Sequence, residues 1–518
     1  MSSLTYPAAA LGLALVTWAA SSASRRNRHD INAYPPGPSG LPLLGNVYQI
    51  DGMAPWMTFT EWKDTYGDVV YCRQLGTELV ILSSEEAARD LLDKRSSNYS
   101  DRMHMAMMEP YGFKYNTVFI LHDDIWRLHR RIAHHSLREH HVNMFRPTQL
   151  RFSDVLLENL AANPDKYHDH FQRFSGSVVL SATFDHDVVD NDDLLTRVVT
   201  DTTSLTNRLT SPGNTVLMNF LPILQYVPTW VPGGWRNAAA ARKKTERMLN
   251  LPFELLNAKI VSGMAGHSIA LDALEGLEET NKVDNFEEVV KGACMTLYAA
   301  GEETVFLSNA RRDHLTDIDF KTASTMMVFL LAMCRNPDAQ RRAQQEIDAV
   351  IGADRLPDYN DRGLLPYVEA VYREVLRWYP VAPLGIPHAS TNDDVYGDWF
   401  IPKGSTIIAN VWAMSHNPAK YPEPSAFKPE RFLDAHGQLT DDNVSYIWGF
   451  GRRICPGRHF ATNSVWIAIV RMLAAFRFEF QSEFERAGAD VKWINSITSV
   501  PAPFPCRIVQ RQNTTHDL

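Results

Sequence analysis

The residues best able to do chemistry gather in one short run, Trp448-Gly-Phe-Gly451-Arg-Arg453-Ile-Cys455-Pro-Gly457-Arg-His-Phe-Ala461. A single cysteine set among Gly451, Pro456 and Gly457 makes a tight loop with few side chains. Such a loop can aim main-chain amides at the sulfur and lets a flat ligand come close. A helix opening after Gly457 adds its positive end, and Arg452, Arg453 and Arg458 add charge, so the Cys455 thiol is expected to titrate low and act as a thiolate. A lone cysteine more often packs as a small hydrophobe. The fixed G-x-R-x-C-x-G spacing is what separates this one from the other four, Cys72, Cys294, Cys334 and Cys506. Those are too scattered for a disulfide framework or a CxxC zinc site and suggest a reducing compartment.

Four other constellations carry ionisable groups at telling spacings. Glu374-Val-Leu-Arg377 places a carboxylate and a guanidinium on one helix face, where they can pair and orient a third group, and Pro429-Glu-Arg431-Phe432 supplies a further arginine. Trp126-Arg-Leu-His-Arg130 puts an indole N–H and a guanidinium one helical turn apart, both able to reach an anion. His388 closes the run Pro383-Leu-Gly-Ile-Pro-His. Ala300-Gly301-Glu302-Glu303-Thr304 combines a glycine, acids and a hydroxyl near the end of an apolar helical pattern. Six histidines between His122 and His141 show no HExxH or matched ligand pair, so a separate metal site is not expected there.

Taken together, these segments resemble the cytochrome P450 superfamily, and 220–235 and 367–388 resemble its fungal, microsomal, secondary-metabolism members. The resemblance implies one mainly α haem domain with small β-sheets. Cys455 would be the axial thiolate of a haem b iron, with Trp448 where the family usually has Phe. Arg453, Trp126, Arg130 and His388 would contact the haem propionates, and Glu374, Arg377 and Arg431 would form a structural network. Gly301 would allow dioxygen to approach the helix, Thr304 would bond it and Glu303 would relay protons. The implied activity is insertion of one oxygen atom from O2 into a small hydrophobic molecule, for example a terpenoid. Electrons would come from NADPH through a separate cytochrome P450 reductase, because no nucleotide fingerprint or fused flavin domain is visible. A basic face of Arg127, Arg130, Arg131, Arg452 and Arg458 would receive that reductase. A reductase-independent peroxygenase is the alternative within the same chemistry.

The elements that must position these groups are mostly helical. Apolar residues recur at helical spacing through 325–332, 338–351 and 367–379, with stops at Asn336-Pro337 and Tyr379-Pro380. Strand-like runs are short: 68–71, 78–82, 395–408 with turns at Gly397 and Gly404, and 492–509. The 518 residues are 45% hydrophobic and 21% charged, which excludes disordered, collagen-like and multi-span membrane classes. A net charge of −9 spread along the chain gives no footprint for nucleic acid.

Leu4 to Ala23 carries no charge and is followed by Arg25, Arg26 and Arg28. Twenty residues just reach the roughly 30 Å of a bilayer core, and basic residues after the span leave the body cytosolic. Residues 1–24 are therefore expected to be a single-pass signal anchor in the endoplasmic reticulum membrane, with a cleaved signal peptide as the alternative. Residues 25–45 form a basic and proline-rich hinge, and 46–518 the haem domain. Within that domain, residues 305–321 (VFLSNARRDHLTDIDFK) interrupt a helical pattern that resumes at Thr322. Their charges are costly along a buried helix. Val305 can begin with GT and Lys321 can end in AG, so the segment reads as translated intron; a genuine looped insertion is the alternative. If the insertion is real, a haem-binding but catalytically impaired product follows.

Overall fold

The computed structural model describes residues 33–188, 193–209, 238–277, 285–303 and 323–511. The expected anchor, Thr304, the 305–321 segment and the 220–235 stretch lie outside the described residues. Among the described residues, no helix is long and apolar enough to cross a membrane.

The helices are α1 (Pro55–Tyr66), α2 (Glu85–Ala88, continued by a π-helical turn over Arg89–Lys94), α3 (Asp124–Leu137), α4 (Arg146–Ala162), α5 (Tyr167–Phe184) and α6 (Leu194–Leu209). After them come α7 (Ala238–Val261), α8 (Ile269–Leu277), α9 (Phe286–Glu303), α10 (Ala323–Arg335), α11 (Pro337–Val350), α12 (Pro366–Trp378), α13 (Val411–Ser415) and α14 (Arg458–Ala475). The helical patterns expected at 325–332, 338–351 and 367–379 thus fall on α10, α11 and α12. Helix α12 shows how sequence sets the limits of an element. Pro366 occupies its first turn, where a missing N–H costs nothing, and Tyr379-Pro380 disfavours continuation. The Glu346 carboxylate on α11 accepts from the Tyr367 and Val368 amides, both at 2.9 Å, and so caps the helix from a neighbour. Helix α14 is apolar nearly all round and lies buried in the main core, between α4 and α12. Its one deeply buried cation, Arg471, is satisfied by the Pro357 carbonyl, Ser153 and Asp154.

The largest sheet has the order β1-β2-β6-β3, from Val69–Gln74, Thr77–Leu82, Thr406–Ala409 and His388–Ala389. The β1/β2 hairpin turns at Leu75 and Gly76, both with positive φ. Strand β2 pairs in parallel with β6, Leu79 opposite Thr406 through Leu82 opposite Ala409, so the sheet joins distant parts of the chain. A hairpin of β4 (Asp394–Tyr396) and β5 (Trp399–Ile401) turns at Gly397, and β7 (Phe476–Phe480) pairs with β10 (Cys506–Gln510). Between β7 and β10, Trp493–Asn495 (β8) pairs with Ser499–Pro501 (β9).

From residue 33 the proline-rich segment is docked on the body rather than standing off it. The Tyr71 amide donates to the Pro36 carbonyl at 3.0 Å, the Phe400 amide donates to the Ala33 carbonyl at 2.9 Å, and the Tyr34 ring stacks on Tyr71. Gly37 is required here, because a Cβ would lie 1.9 Å from the Tyr71 carbonyl oxygen.

Candidate active site

Cys455 sits at the mouth of α14, in a loop braced from both ends. Its amide donates to the Trp448 carbonyl at 2.8 Å, and the Ile454 amide donates to the Gly451 carbonyl at 3.2 Å. Gly451 has φ +56°, and a Cβ there would lie 2.0 Å from the Leu92 carbonyl oxygen, so only glycine fits. Helix α3 grips the same loop, Arg130 donating to the Ile454 carbonyl at 2.8 Å. Burial raises the Cys455 thiol pKa by more than the Gly457 and Arg458 amides and the Arg130 and Arg458 guanidiniums lower it. The expectation of a low-titrating thiol is therefore corrected. The polar groups point the right way, but desolvation wins, and ionisation falls to whatever metal binds the sulfur.

The neighbouring charges explain what that metal comes with. Arg453 is buried and donates to the carbonyls of Ser100 (2.8 Å), Thr117 (3.1 Å) and Ile120 (2.8 Å), while its guanidinium lies 4.6 Å over the Trp126 ring. Arg102, buried beside it, donates to the carbonyls of Val118 (2.9 Å), Ile386 (2.8 Å) and Pro387 (2.7 Å). Burial pushes Arg453 down to about 10, and burial followed by repulsion from Arg453 pushes Arg102 well below the usual guanidinium range. Arg130 is lowered too, chiefly by burial. His388 is buried with Nδ1 2.7 Å from the Tyr99 carbonyl, and burial, then Arg102, hold it at about 3. Three crowded cations held by main-chain carbonyls, with no carboxylate ion pair among the described residues, are an expensive arrangement unless an anion completes it. A group with two carboxylates and a flat apolar body fits both this cluster and the side-chain-poor cysteine loop. Haem is such a group.

Glu374 centres a second, separate network. Glu374 and Arg377 are both fully buried, with Arg377 Nε and Nη2 donating to Glu374 at 2.6 and 2.8 Å. The Lys428 amide and Arg431 Nε complete the carboxylate at 2.7 and 3.2 Å. Arg377 also donates to the carbonyls of Ser415, Pro424 and Ala426, tying α12 to the segment that leads into the cysteine loop.

The cytochrome P450 family profile matches residues 35–503. This chain belongs to the cytochrome P450 family. It is 34% identical over 494 residues to a cytochrome P450 monooxygenase of Armillaria gallica, covering 93% of each chain. It is 35% identical over 495 residues to cytochrome P450 monooxygenase 176 of Postia placenta, covering 93% of this chain and 91% of the relative. It is also 32% identical over 493 residues to the tryptamine 4-monooxygenase of Psilocybe cyanescens, covering 92% of this chain and 93% of the relative. P450s are haem-thiolate oxidoreductases, and this P450 is accordingly a monooxygenase that uses haem.

In this P450, helix α9 carries Gly301 and Glu303, and its described part ends at Glu303. The space a side chain on Gly301 would take is filled by Val179 of α5, with a Cβ placed 2.6 Å from Val179 Cγ2. The glycine therefore serves close helix packing here, a use the sequence did not suggest. Arg127, Arg131 and Arg452 are exposed, whereas Arg130 and Arg458 are half-buried against the cysteine loop. Met105 and Met107 pack with Tyr111, Phe113 and Ala241 of α7 in a small core of their own.

Sequence reasoning missed Arg102 and His129. Arg102 follows an aspartate and has no motif around it. His129 lies inside the Trp126–Arg130 motif, yet only the fold reveals its buried bond to the Thr117 hydroxyl, 2.8 Å from Nδ1. The Thr117 amide in turn donates to Thr296 on α9 at 3.1 Å. This links the loop whose carbonyl receives Arg453 to the helix that carries Gly301.

Proposed function

We propose that this P450 inserts one oxygen atom from O2 into a small hydrophobic substrate in fungal secondary metabolism, taking electrons from NADPH through a membrane-bound reductase. The observation that carries the reading is the convergence of Arg102, Arg130 and Arg453 above a cysteine loop fixed by α3 and α14. When bound, the haem supplies reductive activation of O2 and transfer of one oxygen atom to carbon. The protein's part is positioning and proton supply. Cys455 would hold the iron, and Arg102, Arg130 and Arg453 would neutralise the propionates, with Trp126 packed against Arg130 and Arg453. Neutral His388, its Nδ1–H spent on the Tyr99 carbonyl, offers its other nitrogen as an acceptor, so its contact with a propionate requires a shared proton. Glu303 and Thr304 would deliver protons, as their place in the Ala300–Thr304 sequence pattern suggests.

The apolar 220–235 stretch and the uncharged 4–23 stretch support attachment to the endoplasmic reticulum membrane, with the body cytosolic and the exposed Arg127, Arg131 and Arg452 facing the reductase. The tryptamine 4-monooxygenase relative agrees with a small substrate. At its 32% identity it does not carry tryptamine over to this chain. The test is expression in a host with the reductase. The reduced, carbon monoxide-treated chain should show the thiolate-type absorption band, and Cys455→Ser should abolish it. Oxygenated product should require NADPH. Turnover driven by peroxide alone would replace this reading with the peroxygenase one. The 305–321 interruption immediately after Thr304 favours a second reading, in which this form binds haem but turns over poorly. Comparing the chain with and without those residues separates the two.

A further inference from the structure

Gly451, which sets the path of the cysteine loop, is held by a side chain from a distant helix. Its amide donates to the Asp93 carboxylate on the π-helical turn that continues α2. Asp93 is itself fixed by Arg89, whose Nη1 donates to it at 3.3 Å. Arg89 also binds Glu85 through Nε and Nη2 at 2.9 and 2.7 Å and the Ser445 hydroxyl at 3.0 Å. Ser445 opens the short turn Ser445–Trp448, whose last carbonyl receives the Cys455 amide. The Arg89–Asp93 pair thus grips both sides of the loop that presents Cys455, at Ser445 and at Gly451.

The contact is too specific to be incidental. Gly451 is held in two ways: the Leu92 carbonyl stands where a Cβ would go, so the positive-φ position admits only glycine, and the amide is bonded to the Asp93 carboxylate. The Leu92 carbonyl and the Asp93 side chain that meet the loop both belong to the π-helical turn Arg89–Lys94, a conformation found mostly as single turns at functional sites. Arg89 is only partly exposed at 42% and Asp93 at 33%, so the pair is partly shielded from solvent screening.

We propose that Asp93, oriented by Arg89, is a positioning residue for the Cys455 loop: it fixes Gly451 and thereby the direction from which the sulfur meets the iron. This rests on the reading of Cys455 as the iron ligand. The effect of Asp93 passes through the main chain from Gly451 to Ile454 and Cys455.

The test compares Asp93→Asn, Asp93→Ala and Arg89→Gln in the full-length haem-loaded chain. The readouts are the carbonyl absorption band of the reduced protein, amide exchange at Gly451 and the melting temperature. Losing a charge-assisted bond should speed Gly451 exchange by about 10- to 100-fold in Asp93→Ala. Asp93→Asn, which keeps an acceptor oxygen, and Arg89→Gln, which frees the carboxylate and gives up the Ser445 and Glu85 contacts but leaves the Gly451 acceptor in place, should show smaller increases. The fraction of protein lacking the thiolate-type band should rise in the same order. Should Asp93→Ala not fold, Asp93→Asn and Arg89→Gln carry the same comparison. Unchanged exchange and an unchanged band in the variants that fold would overturn the proposal, as would a lower melting temperature with the band intact. If the parent chain itself lacks the thiolate-type band, the assignment of Cys455 fails instead.

Discussion

Replacing Glu374 by glutamine should cost more stability than any single surface ion pair in this P450. The carboxylate is fully buried and accepts four hydrogen bonds, two from Arg377 and one each from Arg431 and the Lys428 amide. An amide offers one acceptor oxygen and turns an NH2 toward groups that are all donors. Arg377, equally buried, is left with three carbonyls and an uncompensated charge. Breaking one partner of a buried pair typically costs about 3–5 kcal/mol. Against a total of roughly 5–15 kcal/mol for a domain, that is enough to deplete the folded, haem-binding population at growth temperature. The matched control is Asp338→Asn. Its partner is Arg341, and the two side chains are 82% and 62% exposed, so the change should cost under about 1 kcal/mol. Urea midpoints read by tryptophan fluorescence, with haem content measured alongside, make the comparison. If Glu374→Gln and Asp338→Asn shift the midpoint equally, the argument from burial is wrong.

Three further outcomes are expected. Burial depresses the His129 pKa to about 4, so the unfolded chain binds the extra proton first. The stability this histidine contributes is complete above about pH 6.5 and falls as pH drops toward 4, by about 1–2 kcal/mol at pH 5. His129→Gln should flatten that part of a urea-midpoint profile against pH. Gly301→Ala drives a methyl into Val179 and should lower stability by about 1–3 kcal/mol, and adding Val179→Ala should recover part of the loss in thermal melts. Removing residues 305–321 should raise NADPH-dependent turnover, and the transcript should lack their codons; a transcript that retains them, with activity unchanged by the deletion, would rule out the intron reading.

The legible parts of this chain were those whose partners are close in sequence or whose spacing is rigid. Glu374 and Arg377 share a helical turn, so their pairing follows from three-residue spacing, and Trp126 and Arg130 lie on one face for the same reason. Helices α10, α11 and α12 were legible because proline-containing stops bracket regular apolar spacing. Arg102 and Asp93 were silent because their roles depend on segments hundreds of positions away, at Ile386 and Gly451. The thiol was misjudged for a related reason. Arginines and a helix start can be counted in a sequence, but the desolvation that outweighs them is a property of the packed site. Gly301 shows a third limit, because a glycine reports only that something comes close, and among the described neighbours that is Val179.

The parallel pairing of β2 with β6 imposes a timetable on biosynthesis. More than 300 residues separate Leu82 from its partner Ala409. At roughly 5–20 residues per second, the first hairpin waits about 15–65 s on the ribosome before its neighbouring strand has been made. The cysteine loop follows within a further 50 residues, and α14 after it. Sheet closure and the completion of the haem cradle are thus late and nearly simultaneous events. Until then the nascent chain carries an unfinished sheet edge, which makes it a client for chaperones and makes haem supply during the final stage of translation a determinant of yield.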